Sequence, residues 1–213
     1  MAIIKQGVLG AFSGKVGTVI GTSWKGIAII RGIAASIANP RTPAQLEQRA
    51  RFSLVGKFLR TLTAFLRIGF KSAALKMSAF NAAMAYNVKN AVTGIYPDLD
   101  LDYTKLRVTQ GNLPGALNPA AVSVVAATVD FTWEDNSLDA ETMANDKVVL
   151  LVYNPSKGQS VNAIGNMTRV DGAQSVVVPD SFSGDEVQCY ISFINANESV
   201  VSDSLYVGSV LVL

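Results

Sequence analysis

The chain has 213 residues, of which 49% are apolar and only 16% charged; this excludes a disordered chain and supplies a proper core for one large domain or two small ones. Histidine is absent and Cys189 is the only cysteine, which removes the commonest general base, the commonest metal ligand and any internal disulfide. The net charge of +2 conceals a polarity along the sequence: residues 1–97 hold thirteen Lys and Arg against one acid, Glu47 (net +12), and residues 98–213 hold five against fifteen acids (net −10).

An asymmetry of this kind points to a partner. No signal peptide is read, because Met1-Ala2-Ile3-Ile4-Lys5 leads into Gly7, Gly10, Ser13, Gly14 and Lys15 rather than into an apolar run. No transmembrane segment is read either. The apolar stretch Ile27 to Ala38 is interrupted by Arg31 and falls short of the roughly 20 residues a spanning helix needs. A soluble, cytoplasmic or particle-associated chain is expected, with secretion by another route left open.

Residues 1–40 carry glycines at 7, 10, 14, 17, 21, 26 and 32, with short β-prone pieces between them. The spacing predicts a β-ribbon arm rather than a small-residue helix face, since each glycine costs a helix roughly 1 kcal/mol. Trp24-Lys25-Gly26-Ile27 reads as its hairpin turn, with Gly26 supplying a positive φ. A two-stranded ribbon is marginal in water unless something covers it. Val16, Val19, Ile20, Trp24, Ile27 and Ile29 are therefore candidate contacts for a neighbouring subunit, with fold-back onto the chain's own helices as the other way to cover them.

Residues 41–97 are expected to form a basic helical hairpin, over roughly 43–68 and 71–92 with a break at Gly69. Thr42 suits an N-cap, Pro43 the first helical position, and Gln45 the capping-box position. Val55, Phe58, Leu59, Leu62, Phe65 and Leu66 recur at helical spacing, as do Met77, Phe80, Met84, Val88 and Ala91. Arg49, Arg60, Arg67 and Lys71, with Lys57 beside them, fall on the face opposite the first stripe. That basic stripe suits an anionic partner, either a protein surface or a phosphate backbone.

Residues 98–213 are expected to be an acidic β-sandwich. The strands are read at 105–113, 121–133, 147–153, 160–164, 168–178, 186–194 and 204–213, separated by Gly, Asn, Asp, Ser and Pro. Asp98-Leu99-Asp100-Leu101-Asp102 fails the calcium-loop pattern at Tyr103 and Thr109, and reads as a short strand with an acidic face. Gly14-Lys15 lacks the phosphate-loop spacing, and the loop acids Glu134, Asp135, Asp139, Glu141, Asp185 and Glu186 read as solvated. Cys189, in an apolar run, reads as a buried structural thiol. Asn166-Met167-Thr168 and Asn197-Glu198-Ser199 match a glycosylation triplet, a short pattern that means little without secretion.

Two resemblances accompany this reading. Asp130 to Asp135 around Trp133, then Val149 to Tyr153, then Tyr190 to Phe193, resemble a fibronectin type III domain, an immunoglobulin-like sandwich. The resemblance implies Trp133 on strand B, Tyr153 on strand C and Tyr190 on strand F, and no activity. Gly14-Lys15-Val16-Gly17, Trp24-Lys25-Gly26, Asn39 to Gln45, Arg49, Phe52 and Met77 to Asn81 resemble an uncharacterised family of Bacteroidota and phage-associated proteins, to which no function is assigned.

The fold class expected is α+β multidomain: a ribbon arm (1–40), a helical hairpin (41–97) and a sandwich (98–213). The function expected is non-enzymatic and structural, with copies of the chain joined head to tail into a ring, tube or filament. Nucleic-acid binding by the basic half is the alternative. No catalytic residue, cofactor, metal or small-molecule substrate is assigned.

Overall fold

The computed structural model describes residues 3–4, 10–36, 39, 41–137 and 144–213. Lys5, Gly7, Ala38, Pro40, Asp139 and Glu141, all used above, lie outside the described residues. Near the start, β1 (Ile3–Ile4), β2 (Phe12–Val16), β3 (Val19–Trp24) and β4 (Ile27–Gly32) form a four-stranded antiparallel meander in chain order.

Three helices follow: α1 (Pro43–Thr61), α2 (Thr63–Gly69) and α3 (Ala79–Asn90). Pro43 opens α1 and Thr42 is its N-cap, with Leu46 N donating to the Thr42 carbonyl at 3.0 Å, but the Thr42 side chain makes no capping hydrogen bond. The break expected at Gly69 is preceded by another at Leu62, whose N–H turns to the Leu59 carbonyl at 3.1 Å and divides the expected first helix in two. The second helix starts at Ala79 rather than at 71. Ser78 caps it, its side-chain oxygen accepting from Asn81 N at 3.1 Å, and residues 71–77 are turns. Asp98 to Leu101 form β6, paired with β5 (Val92–Ile95); Leu101 points inward, and Asp98 and Asp100 are exposed.

The C-terminal part is a sandwich of two facing antiparallel sheets. One has the order β10-β9-β12-β13 and the other β11-β8-β7, built from β7 (Leu117–Val122), β8 (Thr128–Glu134), β9 (Lys147–Asn154), β10 (Gln159–Thr168), β11 (Ala173–Val177), β12 (Glu186–Ile194) and β13 (Leu205–Leu211). Trp133, Tyr153 and Tyr190 lie on the second, third and sixth strands of this sandwich, where strands B, C and F belong. The expected strand at 105–113 is absent as a ladder. Those residues form a connector pinned by the buried Asn87, which donates to the Arg107 carbonyl at 2.9 Å and accepts from Arg107 N at 2.9 Å. The expected strand at 121–133 is two strands, because the chain turns at 123–127 with Ala127 at φ +51°. The expected 168–178 strand is interrupted by a turn in which Thr168 and Asp171 cap each other.

Two apolar cores result. The inner core lies between the sheets and contains Phe131, Trp133, Val148, Leu150, Val152, Cys189, Ile191 and Phe193. The outer core joins the helices to the opposite face of the same strands: Val55, Phe58, Leu59, Leu62, Phe65 and Leu66 pack with Val149, Leu151, Tyr153, Tyr190 and Ile194. Phe58 meets Tyr153 edge-on, with ring centroids 4.8 Å apart, and Tyr190 donates to the Tyr103 carbonyl at 2.9 Å. The helical segment is thus the outer cover of the sandwich.

Candidate functional site

The turn Trp24-Lys25-Gly26-Ile27 joins β3 to β4, with φ +46° at Lys25 and +80° at Gly26. Positive φ at both central residues is the two-residue hairpin turn whose twist matches antiparallel strands, and glycine at the second place adopts it without strain. Gly21 is the ribbon's one buried residue among those described, and Phe12 lies over it: a Cβ there would meet the Phe12 carbonyl at 2.2 Å. Of the six contact residues read from the sequence, Val19 and Ile20 are half-buried, whereas Val16 (55%), Trp24 (52%), Ile27 (41%) and Ile29 (41%) are exposed. All six residues of β4 are exposed, and neither apolar core includes a residue of 10–36. Fold-back onto the helices, the other way to cover the ribbon, therefore does not bury these side chains. The ribbon touches the body at its tip, where Lys25 Nζ donates to the carbonyls of Ala74, at 3.4 Å, and Met77.

Strand β4 is the outer strand of its sheet. Trp24 and Ile27 close the turn as a hydrogen-bonded pair, so Thr22/Ile29 and Ile20/Arg31 are bonded pairs as well. The alternation directs the backbone groups of Ala28, Ile30 and Gly32 outward, a free edge six residues long.

Arg49, Lys57 and Arg60 on α1, Arg67 on α2 and Lys71 in the turn after α2 are exposed, and Val55, Phe58, Leu62 and Phe65 are buried. The break at Leu62 divides the continuous helical stripe expected from the sequence, and Lys71 lies outside it. Arg49 donates to Asn39 Oδ1 at 2.6 Å, and Lys71 Nζ reaches the Glu198 carbonyl at 3.5 Å. Each salt bridge among the described residues stays within one half of the chain. Arg51–Glu47 lies in the first half; Lys105–Asp102, Arg107–Asp203, Lys147–Glu198, Lys157–Asp185 and Arg169–Asp146 lie in the second. Across the halves, among the described residues, Lys71 lies close enough to Glu198 to help hold its carboxyl low without forming a salt bridge.

Three carboxylates of the second half are tuned by these pairs. The Lys157 ammonium and then the Asn154 amide hold Asp185 below the usual range, Lys147 does so for Glu198, and Lys105 and Thr104 for Asp102. Burial pushes the Cys189 thiol up to about 12, as expected of a structural cysteine. The sequence reading missed the most buried charge of the sandwich. Arg169 is fully buried: it pairs with Asp146, donates to the carbonyls of Pro114 and Gly115 and to Asn136, and lies 3.8 Å over the Phe193 ring. Its own carbonyl accepts from Trp133 Nε1 at 2.8 Å. The available signal was Arg169 itself, one of only five bases in the acidic half.

A groove of about 420 Å³ between α1 and α3 is lined by Phe52, Phe80, Asn81, Met84 and Ala85. Among the described residues no group of three or more potential metal ligands is brought together, and no helix is long and apolar enough to cross a membrane.

A comparison with curated protein sequences found no match. Among solved structures, the twitchin kinase region from C. elegans is similar over 48% of this chain at 14% identity and a TM-score of 0.35; the chain covers 17% of that protein's length. The fibronectin type III domain of the human collagen α-1(XX) chain is similar over 46% of this chain and 84% of its own length, at 14% identity and a TM-score of 0.32. A computationally redesigned β-sandwich protein is similar over 48% of this chain and 94% of its own length, at 10% identity and a TM-score of 0.34. Similarities this low leave the sandwich assignment resting on the strand order and the two facing sheets described above. The model of a family of unknown function, DUF6266, matches residues 11–208, and the chain belongs to that family.

Proposed function

We propose that this chain is a non-enzymatic structural protein that assembles head to tail, the basic N-terminal half of one copy meeting the acidic sandwich of the next. The observation that carries this reading is the ribbon. Residues 12–32 include the exposed side chains of Val16, Trp24, Ile27, Ile29 and Ile30, contain no acid, and lie outside both cores. Exposed apolar edges of this kind are strand-addition sites unless they are blunted or covered. Among the described residues the salt bridges join groups of the same half, which supports the reading that exposed charge of opposite sign meets a neighbour. A contact between two different surfaces closes a ring or propagates a tube or filament. The setting suggested by the sequence resemblance is a bacterial or phage particle or surface structure.

Sedimentation of the full chain at low and high salt tests this. Oligomers are expected at low salt and should weaken near 1 M, where the Debye length is about 3 Å. Arg49→Glu, Arg60→Glu and Arg67→Glu together should weaken them further, and a monomer under all conditions sinks the reading. A second reading, nucleic-acid binding, is favoured by one observation: among the described residues no salt bridge involves Lys57 and Arg60 on α1 or Arg67 on α2, all of them exposed. A DNA gel shift with a steep salt slope would bring it forward.

A further inference from the structure

We propose that the seat of the ribbon is one end of the sandwich of a second copy, formed by residues 122–127 and the C-terminal residues. The proposal rests on the head-to-tail reading above and names the surface that completes it. Backbone bonds gather this end: Ala127 N donates to the Leu213 carbonyl at 2.9 Å, Val178 N to the Ala127 carbonyl at 2.9 Å, and Leu213 N to Ser123 Oγ at 3.2 Å. They bring together a group of side chains that a monomer leaves in water, Val122, Val124, Val125, Val177 and Leu213, all of them more than half exposed. Singly exposed valines need no explanation, but four valines and a leucine at one end of one domain mark a contact surface.

Charge identifies the occupant. Asp130 lies opposite Val122 in the sheet register, Glu186 opposite Leu211, and Asp180 follows Val178 by two residues, so three carboxylates stand on the segments that carry the patch. Lys157, a base at this end, is paired with Asp185. The described part of the ribbon carries Lys15, Lys25 and Arg31 and no acid. The competing apolar seat, the groove at Phe52, Phe80 and Met84, is built on α1 and α3, which carry five bases and one acid, Glu47, itself paired with Arg51, so a basic ribbon is disfavoured there.

Distance makes the occupant a second copy. Lys25 holds the ribbon tip at residues 74–77, next to the turn whose Ser72 donates to the Gln110 carbonyl and whose Lys71 reaches Glu198. Glu198 pairs with Lys147 at the start of β9, whereas the proposed seat is at the far end of that strand, where Asn154 donates to Asp185 and Val212 N to the Asp185 carbonyl. Eight residues of strand separate the two by about 23 Å. Ribbon tip and seat at opposite ends are the two halves of a heterologous contact.

Two double variants of the full chain test this by sedimentation velocity: Val124→Asp with Val125→Asp at the seat, and Ile29→Asp with Ile30→Asp on the ribbon. All four positions are exposed, so both should keep the wild-type near-UV spectrum. Each variant alone should self-associate at least about tenfold more weakly than the wild type. Mixed one to one they should form a heterodimer, because each supplies the surface the other has lost. A seat variant that assembles like the wild type overturns the seat and leaves head-to-tail assembly standing, and loss of assembly in Phe52→Asp instead would move the seat to the groove. A mixture that stays monomeric also overturns it. A wild type that is monomeric at every concentration removes the assembly reading itself, and the seat with it.

Discussion

Strands β4 and β9 have similar compositions and opposite surroundings. Ile27-Ala28-Ile29-Ile30-Arg31-Gly32 is apolar on both faces apart from Arg31 near its end, and Val148-Val149-Leu150-Leu151-Val152-Tyr153 is apolar on both faces throughout. In β9 every one of those six side chains is buried: Val148, Leu150 and Val152 face the second sheet, and Val149, Leu151 and Tyr153 face the helices. In β4 all six residues are exposed. A strand apolar on both faces needs a cover on each, because successive side chains alternate between faces. Among the described residues that requirement is met for β9 by two layers and for β4 by none. The difference locates the unmet demand for a partner.

Breaking the covered side should have the largest effect. Trp133 is buried against Phe193, with centroids 6.0 Å apart, and its N–H is bonded to Arg169. Trp133→Ala should cost about 3–5 kcal/mol in a denaturant titration. A loss below about 1 kcal/mol would contradict the inner core. Phe58→Ala removes the helical side of the outer core and should cost about 3 kcal/mol, so a sandwich cut free near residue 100 should be less stable than the whole chain and should bind a hydrophobic dye. An isolated sandwich as stable as the whole would show that the helices are a separate layer with little energetic share in it.

Alkaline pH should act on the same covered side. Burial raises the Cys189 thiol from its ordinary 9.0 to about 12, and the Tyr103 hydroxyl from 10.0 to about 12. Both are protonated in the folded state at a pH where the unfolded chain ionises. Their contribution is therefore complete below about pH 9 and is lost as pH rises toward 12. A Cys189→Ala chain should show a shallower decline between pH 9 and 12, and an unchanged slope would place that thiol in contact with solvent. The smallest effect belongs to the ribbon: Ile30→Ala should change the stability of the monomer by no more than about 0.5 kcal/mol.

The legibility of the sequence follows the same division. Strand β12 runs from Glu186 to Ile194, the range read from its β-branched run between Gly184-Asp185 and Asn195, because polar turn residues delimit it. The division of 121–133 was hidden because the turn contains Ser-Val-Val-Ala-Ala, with no glycine or proline, and relies on a positive φ at Ala127. Residues 105–113 looked like a strand because Leu106 and Val108 are buried, but they are wedged between the helices and the sandwich, and Asn87 on α3 takes the hydrogen bonds that a ladder would have used. The outer core was legible in outline, since a strand with no polar face implies two covers, while the identity of the second cover depends on tertiary contacts. At the ribbon, Gly26 and the exposed apolar residues follow from local chemistry. The seat proposed for it gathers side chains from three distant parts of the sequence, which no local pattern announces.

Amide hydrogen exchange of the full chain at two protein concentrations measures directly whether another copy covers the ribbon. The amides of Val19 to Ile33 should gain protection as concentration rises, together with those of residues 122–127, while β9 and β12 stay unchanged. Ribbon amides that exchange equally fast at both concentrations, in a chain that sediments as a monomer, would contradict the account.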